Sequence, residues 1–349
     1  MDRYSKVHAS RCGPGDARPT ALQVVSDEQK ARCRDSVALH DLVIVITGAT
    51  SGIGFETAKA LYAVGARLFI TARDLNKARA TVNQVMEAFP SGGARKQSIE
   101  IVKVDMNSLS SVRSGAQELL SKADRIDVLI NNAGIAAVPF GHTDDGFESH
   151  WGVNYLAPFL FTHLLLPCLQ ASSTPNHCSR VINLTSTGHR LFPTHLTDPN
   201  FENTPYEPMS AYATSKLANI YHANFINRQF SSRGIRALSL HPGTVPNTSL
   251  LRALNDSVTV HPQSGALPAG YNEEAKSVEQ GAATSVFAAI ASCLEGKGGI
   301  YLENCTIGKE APKGLGPMDG GYDATALDAT AEEILWNETC AVLKVSHSV

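Results

Sequence analysis

Short apolar runs alternate along the chain with longer segments in which apolar residues recur at helical spacing. The apolar runs predict strands near residues 42–46, 67–71, 99–104, 128–130, 181–184, 235–240 and 299–302. The amphipathic segments predict helices near residues 55–65, 74–89, 108–123, 146–170, 210–230 and 276–291. Strands that are apolar on both faces are typical of a parallel sheet between two layers of helices. The pattern therefore predicts a single α/β domain with a doubly wound parallel sheet of about seven strands and helices on both faces.

Three segments interrupt this alternation. Residues 1–40 are rich in Gly, Pro, Arg and Ser before a stretch that favours a helix, so we expect a mobile N-terminal extension before a single domain over residues 41–349. Residues 188–209 and 246–275 are long irregular connections that follow strands. Long connections at the carboxyl edge of such a sheet are commonly functional, and we expect both to line a substrate pocket.

Composition narrows the class of protein. A formal net charge of −3 gives no basic field for nucleic acid. The seven cysteines are scattered without a CxxC pair, which favours reduced cysteines in the cytoplasm, and we predict no metal site. The longest apolar stretch, residues 151–169, contains Asn154 and His163, so we expect a buried helix there and no integral membrane segment.

The first apolar run ends in the sequence TGATSGIG, residues 47–54. Gly48 would permit a tight turn, and Gly52 and Gly54 would let a pyrophosphate and the following helix approach bare backbone. The helix N-terminus and the Ser51 hydroxyl would then bind phosphate. The spacing predicts a dinucleotide site, although an ordinary glycine-rich turn between a strand and a helix has the same composition.

The residue that follows the second predicted strand indicates which dinucleotide would bind. An acidic residue at this point would hold the ribose 2′-hydroxyl of NAD, but the sequence has Arg73, which would pair with a 2′-phosphate. We therefore expect NADP, with NAD less favoured, unless Arg73 is only a solvated surface residue. Asp105, after the third strand, would accept a hydrogen bond from the adenine amino group or serve only in a turn.

Candidate catalytic residues lie further along the chain. Tyr212 and Lys216 in the sequence SAYATSK are four residues apart, which places them on one face of a helix. A nearby ammonium favours the phenolate, so Lys216 would lower the pKa of Tyr212 and make it a proton donor near neutral pH. Tyr-x-x-x-Lys alone more often joins a core residue to a surface residue. Ser186, at the end of the fifth strand, would hold a substrate oxygen at the same edge of the sheet.

The motifs together resemble the classical short-chain dehydrogenases/reductases, a family with a Rossmann-type fold. TGATSGIG, Asp105, NNAG at residues 131–134, Asn154, Ser186, YATSK and HPG occur in the order and spacing of that family. The resemblance covers about residues 41–305. Residues 143–167 resemble the branch that holds the retinol dehydrogenases and the WW-domain-containing oxidoreductases, and GGIYLENC at 298–305 is similar to fungal members.

The resemblance implies a role for each matching residue. Tyr212 would be the general acid or base, Lys216 would also bind the nicotinamide ribose, Ser186 would orient the carbonyl, and Asn154 would hold a water that relays protons. Further cofactor contacts are implied for Ile53, Asn131, Asn132, Ala133, Gly134 and, at the carboxamide end of the nicotinamide, Val245. The family usually has PGxxxT where this chain has PGTVPNTS, so either Asn247 or Thr248 would take the place of the threonine.

We therefore predict an NADP-dependent oxidoreductase that interconverts a carbonyl and an alcohol on an apolar small molecule, such as a compound of secondary metabolism. A retinol dehydrogenase-like activity and a non-catalytic NADP(H)-binding regulatory module are the alternatives. The resemblance also implies a homo-oligomer, with the helices at residues 151–169 and 210–230 as its interface, although simple core packing explains their apolar content equally well.

Overall fold

The computed structural model describes residues 3–31, 38–89, 98–246, 248, 250, 270–312, 314, 316 and 319–347. These residues form one eight-stranded sheet in the order β3-β2-β1-β4-β5-β6-β7-β8. Its strands are β1 (Val43–Thr47), β2 (Arg67–Ala72), β3 (Ile99–Lys103), β4 (Val128–Asn131), β5 (Ser179–Leu184), β6 (Ile235–His241), β7 (Ile300–Glu303) and β8 (Thr306–Ile307). The seven strands expected from the apolar runs are present and parallel, which confirms the doubly wound α/β fold. Strand β8 pairs antiparallel with β7 and is only two residues long, so no apolar run in the sequence predicts it.

Helices cover both faces of the sheet. They are α1 (Ser5–Ala9), α2 (Ala21–Ala31), α3 (Gly52–Ala63), α4 (Leu75–Ala88), α5 (Leu109–Lys122), α6 (Ser149–Trp151), α7 (Ala157–Ser172), α8 (Gly188–Leu191), α9 (Pro208–Phe230), α10 (Tyr271–Glu274), α11 (Val278–Gly281), α12 (Ala283–Ile290) and α13 (Ala329–Leu343). Alternate residues of each strand point to opposite faces. Val43 and Val45 belong to the buried cluster that includes residues of α5, α7, α9 and α13, whereas Ile44 and Ile46 belong to the cluster that includes residues of α2, α3, α4 and α12.

The N-terminal segment differs from the mobile extension that we expected. Helix α2 packs against α3 and α12, and its Ala21, Val24 and Val25 are buried. Glu28 is also buried and accepts hydrogen bonds from Arg3 and from the backbone N–H of Ser292. Positions 21, 24, 25 and 28 form one helical stripe, so the sequence did carry a signal that this helix packs against the domain.

The C-terminal helix α13 covers the helices that we expected to meet a second copy. Trp336 of α13 is 2% exposed and stacks on Phe225 of α9, with ring centroids 4.5 Å apart. The same indole lies 4.7 Å from Phe159 of α7. The apolar faces of α7 and α9 are therefore covered within one chain. The segment Ser149–Ser172 is long and apolar enough to cross a membrane, but most of it is buried in the domain.

Candidate active site

A cavity of about 630 Å³ opens at the carboxyl edge of the sheet. Six successive strands each contribute the residue that directly follows the strand. These residues are Gly48, Arg73, Val104, Asn132, Thr185 and Pro242. The cavity lies where the strand order turns back, between β1 and β4, which is the usual ligand crevice of a doubly wound sheet.

The glycine turn forms one end of the cavity. Gly48 has φ +67°, and a methyl group added to it would lie 2.8 Å from the Cα of Ala133, so glycine is required there. A methyl group on Gly54 would lie 2.4 Å from Asn132 Nδ2. Asn132 Nδ2 donates to the carbonyl oxygens of Thr47 (2.8 Å) and Gly48 (3.1 Å), which holds the turn against the end of β4. This arrangement leaves the N-terminus of α3 facing the cavity.

Arg73 and Asp74 have different roles at the end of β2. Arg73 is exposed and lines the cavity. The Asp74 carboxylate caps helix α4, where it accepts hydrogen bonds from the backbone N–H groups of Asn76 (2.9 Å) and Lys77 (3.1 Å). The hydrogen bond from Lys77 lowers the pKa of Asp74. The carboxylate that directly follows Arg73 in the sequence is thus already engaged by the helix that it caps.

Asp105 lies in the connection from β3 to α5 and lines the cavity. Its Oδ1 accepts from the backbone N–H of Asn107 (3.0 Å), and its own N–H donates to Ser111 Oγ (2.9 Å). These contacts fix the carboxylate at the cavity wall as a hydrogen-bond acceptor.

Tyr212 and Lys216 come together on helix α9 at the other end of the cavity. Lys216 Nζ lies 5.5 Å from the centroid of the Tyr212 ring and donates to the carbonyl oxygen of Leu184 at 3.1 Å. Both side chains are buried, yet both line the cavity. Their spacing of four residues on a helix produces the stacked arrangement that the sequence predicted.

The pKa of Tyr212 differs from our expectation. Burial disfavours the phenolate and raises the pKa of Tyr212 to about 12, although a hydrogen bond with Ser186 acts in the opposite direction. Burial lowers the pKa of Lys216 to about 8. The Lys216 ammonium lies over the tyrosine ring, but burial sets the direction of the Tyr212 pKa shift. Of the two groups, Lys216 therefore has the pKa closer to neutral pH.

Ser186 lies beside Tyr212. Its Oγ accepts from the backbone N–H of Gly188 at 3.1 Å. A methyl group on Gly188 would lie 3.3 Å from Ser186 Oγ and 3.4 Å from Tyr212 Cε1, so the two side chains meet at this glycine. The serine hydroxyl and the tyrosine are therefore neighbours at the end of β5.

Asn154 lies in a single π-helical turn, Gly152–Leu156, between α6 and α7. π-Turns inside helices are frequent at functional sites. Asn154 Oδ1 accepts from the N–H of Ile135 (2.8 Å), and Nδ2 donates to the carbonyl of Ile135 (2.9 Å) and to Ser215 Oγ (2.9 Å). A methyl group on Gly134 would lie 3.1 Å from Asn154 Oδ1 and 3.5 Å from Lys216 Nζ, which places Asn154 close to the lysine.

Two expected cofactor residues lie away from the cavity, and a third lies outside the described residues. The side chain of Asn131 is buried within the sheet and donates to Thr162 Oγ1 (2.8 Å) and Asn183 Oδ1 (2.9 Å). Val245 is 7% exposed and packs against Gly281 behind the wall. Thr248 lines the cavity, whereas Asn247 lies outside the described residues.

The substrate side of the cavity differs from the sequence-based expectation. Among the described residues that line it, none comes from residues 188–209. Tyr206 of that connection instead donates to the carbonyl of Val138 (2.9 Å), and Val138 forms the wall. Residues 247, 249 and 251–269 of the second connection lie outside the described residues, while Leu250 lines the cavity.

Sequence reasoning also missed several lining residues. They are Thr50, Thr71, Ala72, Val104, Met106, Asn107, Ile135, Val138, Pro139, Ser149, Val153, Leu184, Thr185 and Pro242. Most are small or apolar and carry no recognisable chemistry, but many flank a residue of a motif. For Thr71, Ala72, Val104, Leu184 and Thr185, a position at or next to a strand end was the available signal.

Comparisons with known proteins identify the family of this chain. A model of the short chain dehydrogenase family matches residues 42–259. The chain belongs to the short-chain dehydrogenase family. A short-chain dehydrogenase/reductase (prx1) of Penicillium roqueforti is 38% identical over 345 residues, which cover 99% of this chain and 96% of the relative. An oxidoreductase (calI) of Penicillium decumbens is 40% identical over 316 residues, or 89% of this chain and 88% of the relative.

Two further comparisons support the same assignment. Human retinol dehydrogenase 12 is 32% identical over 313 residues, which cover 90% of each chain. A crystal structure of an uncharacterised protein from Mycobacterium paratuberculosis is 29% identical, with a TM-score of 0.63 over 90% of this chain and 100% of that one. The fungal relatives and the retinol dehydrogenase confirm the branch that the motifs indicated, and the protein is an oxidoreductase of this family.

Proposed function

We propose that this protein is an NADP-dependent oxidoreductase that interconverts a carbonyl and an alcohol on an apolar small molecule. The observation that carries the proposal is that Tyr212 and Lys216 line one end of a cavity that has Arg73 and the glycine turn at its other end. Ser186 does not line the cavity but lies directly beside Tyr212. An elongated dinucleotide would reach from Arg73 to Tyr212 along the strand ends.

The preference for NADP rests on the end of β2. Arg73 offers a guanidinium at the position where a 2′-phosphate would lie, and such a group pairs with phosphate through two parallel hydrogen bonds. The Asp74 carboxylate is held by its own helix, so it does not compete as the partner of a ribose 2′-hydroxyl. Gly48, Ser51, Gly52, Ile53 and Gly54 would surround the pyrophosphate at the N-terminus of α3.

The catalytic end would act by orienting a carbonyl and supplying a proton. Bound NADPH supplies the hydride. Ser186 Oγ and the Tyr212 hydroxyl would both donate to the substrate oxygen, and Tyr212 would transfer its proton as that oxygen becomes an alcohol. Lys216, whose pKa burial lowers to about 8, would help to return a proton to Tyr212, with Asn154 holding the connecting water beside it.

An apolar substrate agrees with the wall of this end of the cavity, which includes Ile135, Val138, Pro139, Val153 and Leu250. The two Penicillium oxidoreductases favour a compound of fungal secondary metabolism, and the retinol dehydrogenase favours a retinoid-like compound as the alternative. If the wild-type protein bound NADPH but reduced no carbonyl in a panel of apolar ketones and aldehydes, the non-catalytic NADP(H)-binding module would be the better description.

The cofactor assignment is tested by titrating the protein with NADPH and with NADH while nucleotide fluorescence is followed. In Arg73→Glu we expect NADPH to bind about 10- to 100-fold more weakly, because a charge-assisted hydrogen bond of about 1.5–3 kcal/mol is lost. The affinity for NADH should change little.

Arg79→Glu is the matched control for this titration. It makes the same charge change on helix α4, where Arg79 is exposed and hydrogen-bonds Asn76 (3.2 Å) outside the cavity. Equal wild-type affinity for both nucleotides, unchanged in Arg73→Glu, would show that the end of β2 does not select the cofactor.

A further inference from the structure

A buried arginine joins the N-terminal segment to a distant part of the chain. Arg18 is 2% exposed, and its guanidinium donates to the carbonyl oxygens of Glu273 (3.2 Å), Glu274 (2.7 Å) and Ala275 (2.6 Å). The remaining bonds go to the carbonyl of Gly13 (3.1 Å) and to Asp16 Oδ1 (2.9 Å). We call residues 13–18 the strap.

The strap has a second attachment, at Gln280 of helix α11. Gln280 Nε2 donates to the carbonyl oxygens of Asp16 (3.2 Å) and Arg18 (3.1 Å) and to Asp16 Oδ1 (3.1 Å). Gln280 Oε1 accepts from the backbone N–H of Gly15 (3.0 Å). The N–H of Gly13 also donates to the carbonyl of Glu273 (3.1 Å). The strap is therefore hydrogen-bonded to both ends of the segment 273–280.

The first attachment is linked to the cavity by a buried lysine. Lys276 directly follows the carbonyls that Arg18 binds, and its backbone N–H donates to the carbonyl of Thr244 (2.8 Å). Its Nζ donates to the carbonyl of Pro242 (3.2 Å) and to Asn304 Oδ1 (2.7 Å). Pro242 lines the cavity at the end of β6. A shift of residues 273–275 would thus move the residue that holds the 242–244 backbone.

The second attachment reaches the cavity through Gly281. A methyl group on Gly281 would lie 2.6 Å from Val245 Cγ2 and 3.4 Å from Ile53 Cγ1. Ile53 lines the cavity, and Val245 continues the backbone that Lys276 holds. Close packing of this kind transmits a displacement of α11 to the wall, because a densely packed interior has no voids into which the side chains could move.

We propose that Arg18 is a positioning residue for the nicotinamide end of the cofactor site. It acts through residues 273–276 and Gln280 on the wall that runs from Pro242 to Val245. A guanidinium buried at this depth requires partners for its donors, so the carbonyls that it binds are held in one arrangement. The proposal rests on the proposed function, since it assumes that the nicotinamide lies beside this wall.

The test compares two ligands that share all but the nicotinamide. NADPH and 2′-phospho-ADP-ribose are titrated into the full-length wild type and into Arg18→Met, which removes the donors but keeps a long side chain. We expect Arg18→Met to bind NADPH about tenfold more weakly and to bind 2′-phospho-ADP-ribose with wild-type affinity, because the strap supports only the nicotinamide end. A purely structural loss would weaken both ligands together.

Arg3→Met is the matched control, because Arg3 lies in the same N-terminal segment but pairs with Glu28 (3.0 Å), away from the strap. It should bind both ligands as the wild type does. Gln280→Glu is the second variant if Arg18→Met does not fold; it removes the Nε2 donor and places a carboxylate against Asp16. Either variant overturns the proposal if it weakens both ligands equally or neither. Failure of the wild type to bind 2′-phospho-ADP-ribose would instead contradict the proposed cofactor.

Discussion

Two buried lysines occupy similar places in the structure but serve different regions of it. Lys216 on α9 donates to the carbonyl of Leu184 at the end of β5, and Lys276 donates to the carbonyl of Pro242 just after β6. Burial lowers the pKa of each to about 8. Only Lys216 has a tyrosine ring beside it and lines the cavity.

The comparison shows that a lowered lysine pKa does not by itself identify a catalytic group. Lys276 is shielded from the cavity by the backbone that it supports, and its ammonium is also bound by Asn304 Oδ1 at 2.7 Å. We propose that Lys216 takes part in proton transfer and that Lys276 holds the backbone of the cavity wall in place. The two lysines are distinguished by contact with the reacting end of the cavity, because their pKa values are the same.

The largest expected difference between the two lysines is in turnover. Lys216→Met should lower the turnover number at least about a hundredfold, because it removes a group that exchanges protons with Tyr212. Lys276→Met should lower it by about tenfold or less, since it disturbs only the wall. Consumption of NADPH with a panel of apolar ketones and aldehydes measures both.

Binding of 2′-phospho-ADP, which lacks the nicotinamide ribose that Lys216 would contact, is the control, and each variant should retain it. If both variants lost turnover to the same extent, Lys276 would have to be counted with the proton-transfer group and the comparison would fail.

A smaller difference is expected in the free energy of unfolding when the glycine that packs against each lysine is replaced by alanine. Gly243 has φ +99°, and an added methyl group would lie 2.7 Å from Lys276 Nζ, whereas a methyl on Gly134 would lie 3.5 Å from Lys216 Nζ. Gly243→Ala should therefore lower the free energy of unfolding by about 1–3 kcal/mol, and Gly134→Ala by less than about 1 kcal/mol. Denaturant titration measures both values, and the reverse order would contradict the packing described around Lys276.

A further expected effect is a dependence of stability on pH. An ordinary lysine has a pKa of 10.5, and burial lowers that of Lys216 and Lys276 to about 8. Between these values the unfolded chain binds more protons than the folded chain, so the free energy of unfolding should rise with pH from about 8 to about 10. Lys276→Met should reduce the slope, whereas the exposed Lys122→Met serves as its control. Equal slopes in the wild type and Lys276→Met would exclude a buried, titrating Lys276.

Local features of the sequence were sufficient to predict most of the sheet and much of the cavity. The run before Gly48 and the Tyr212–Lys216 spacing depend on neighbours within a few residues, and the structure places them as expected. The buried position of the Asn131 side chain was not predicted, because its direction depends on pairing with Asn183 across the sheet. The direction of the Tyr212 pKa was missed because sequence spacing reveals the nearby charge but not the extent of burial.

The N-terminal segment was misjudged for a different reason. Its composition favours a loop, and its partners lie far away along the chain: Arg18 binds the carbonyl of Glu274, 256 residues later. The stripe at residues 21, 24, 25 and 28 indicates that α2 packs on the domain, but it does not show which distant residues Arg18 meets. The packing of helix α13 on Phe225 and Phe159 was likewise not predictable from local sequence, because it depends on the tertiary fold.

The distance that Arg18 bridges has a consequence for biosynthesis. A ribosome exports residue 18 long before residues 273–275, so during elongation the guanidinium stays hydrated while most of the sheet is already available to fold. Closing so long a loop is slow relative to local folding, because its entropy is lost before any contact forms. Docking of the first residues onto the last third of the chain is therefore a late step of maturation, and a nascent chain that stops before residue 273 lacks the carbonyls that Arg18 needs.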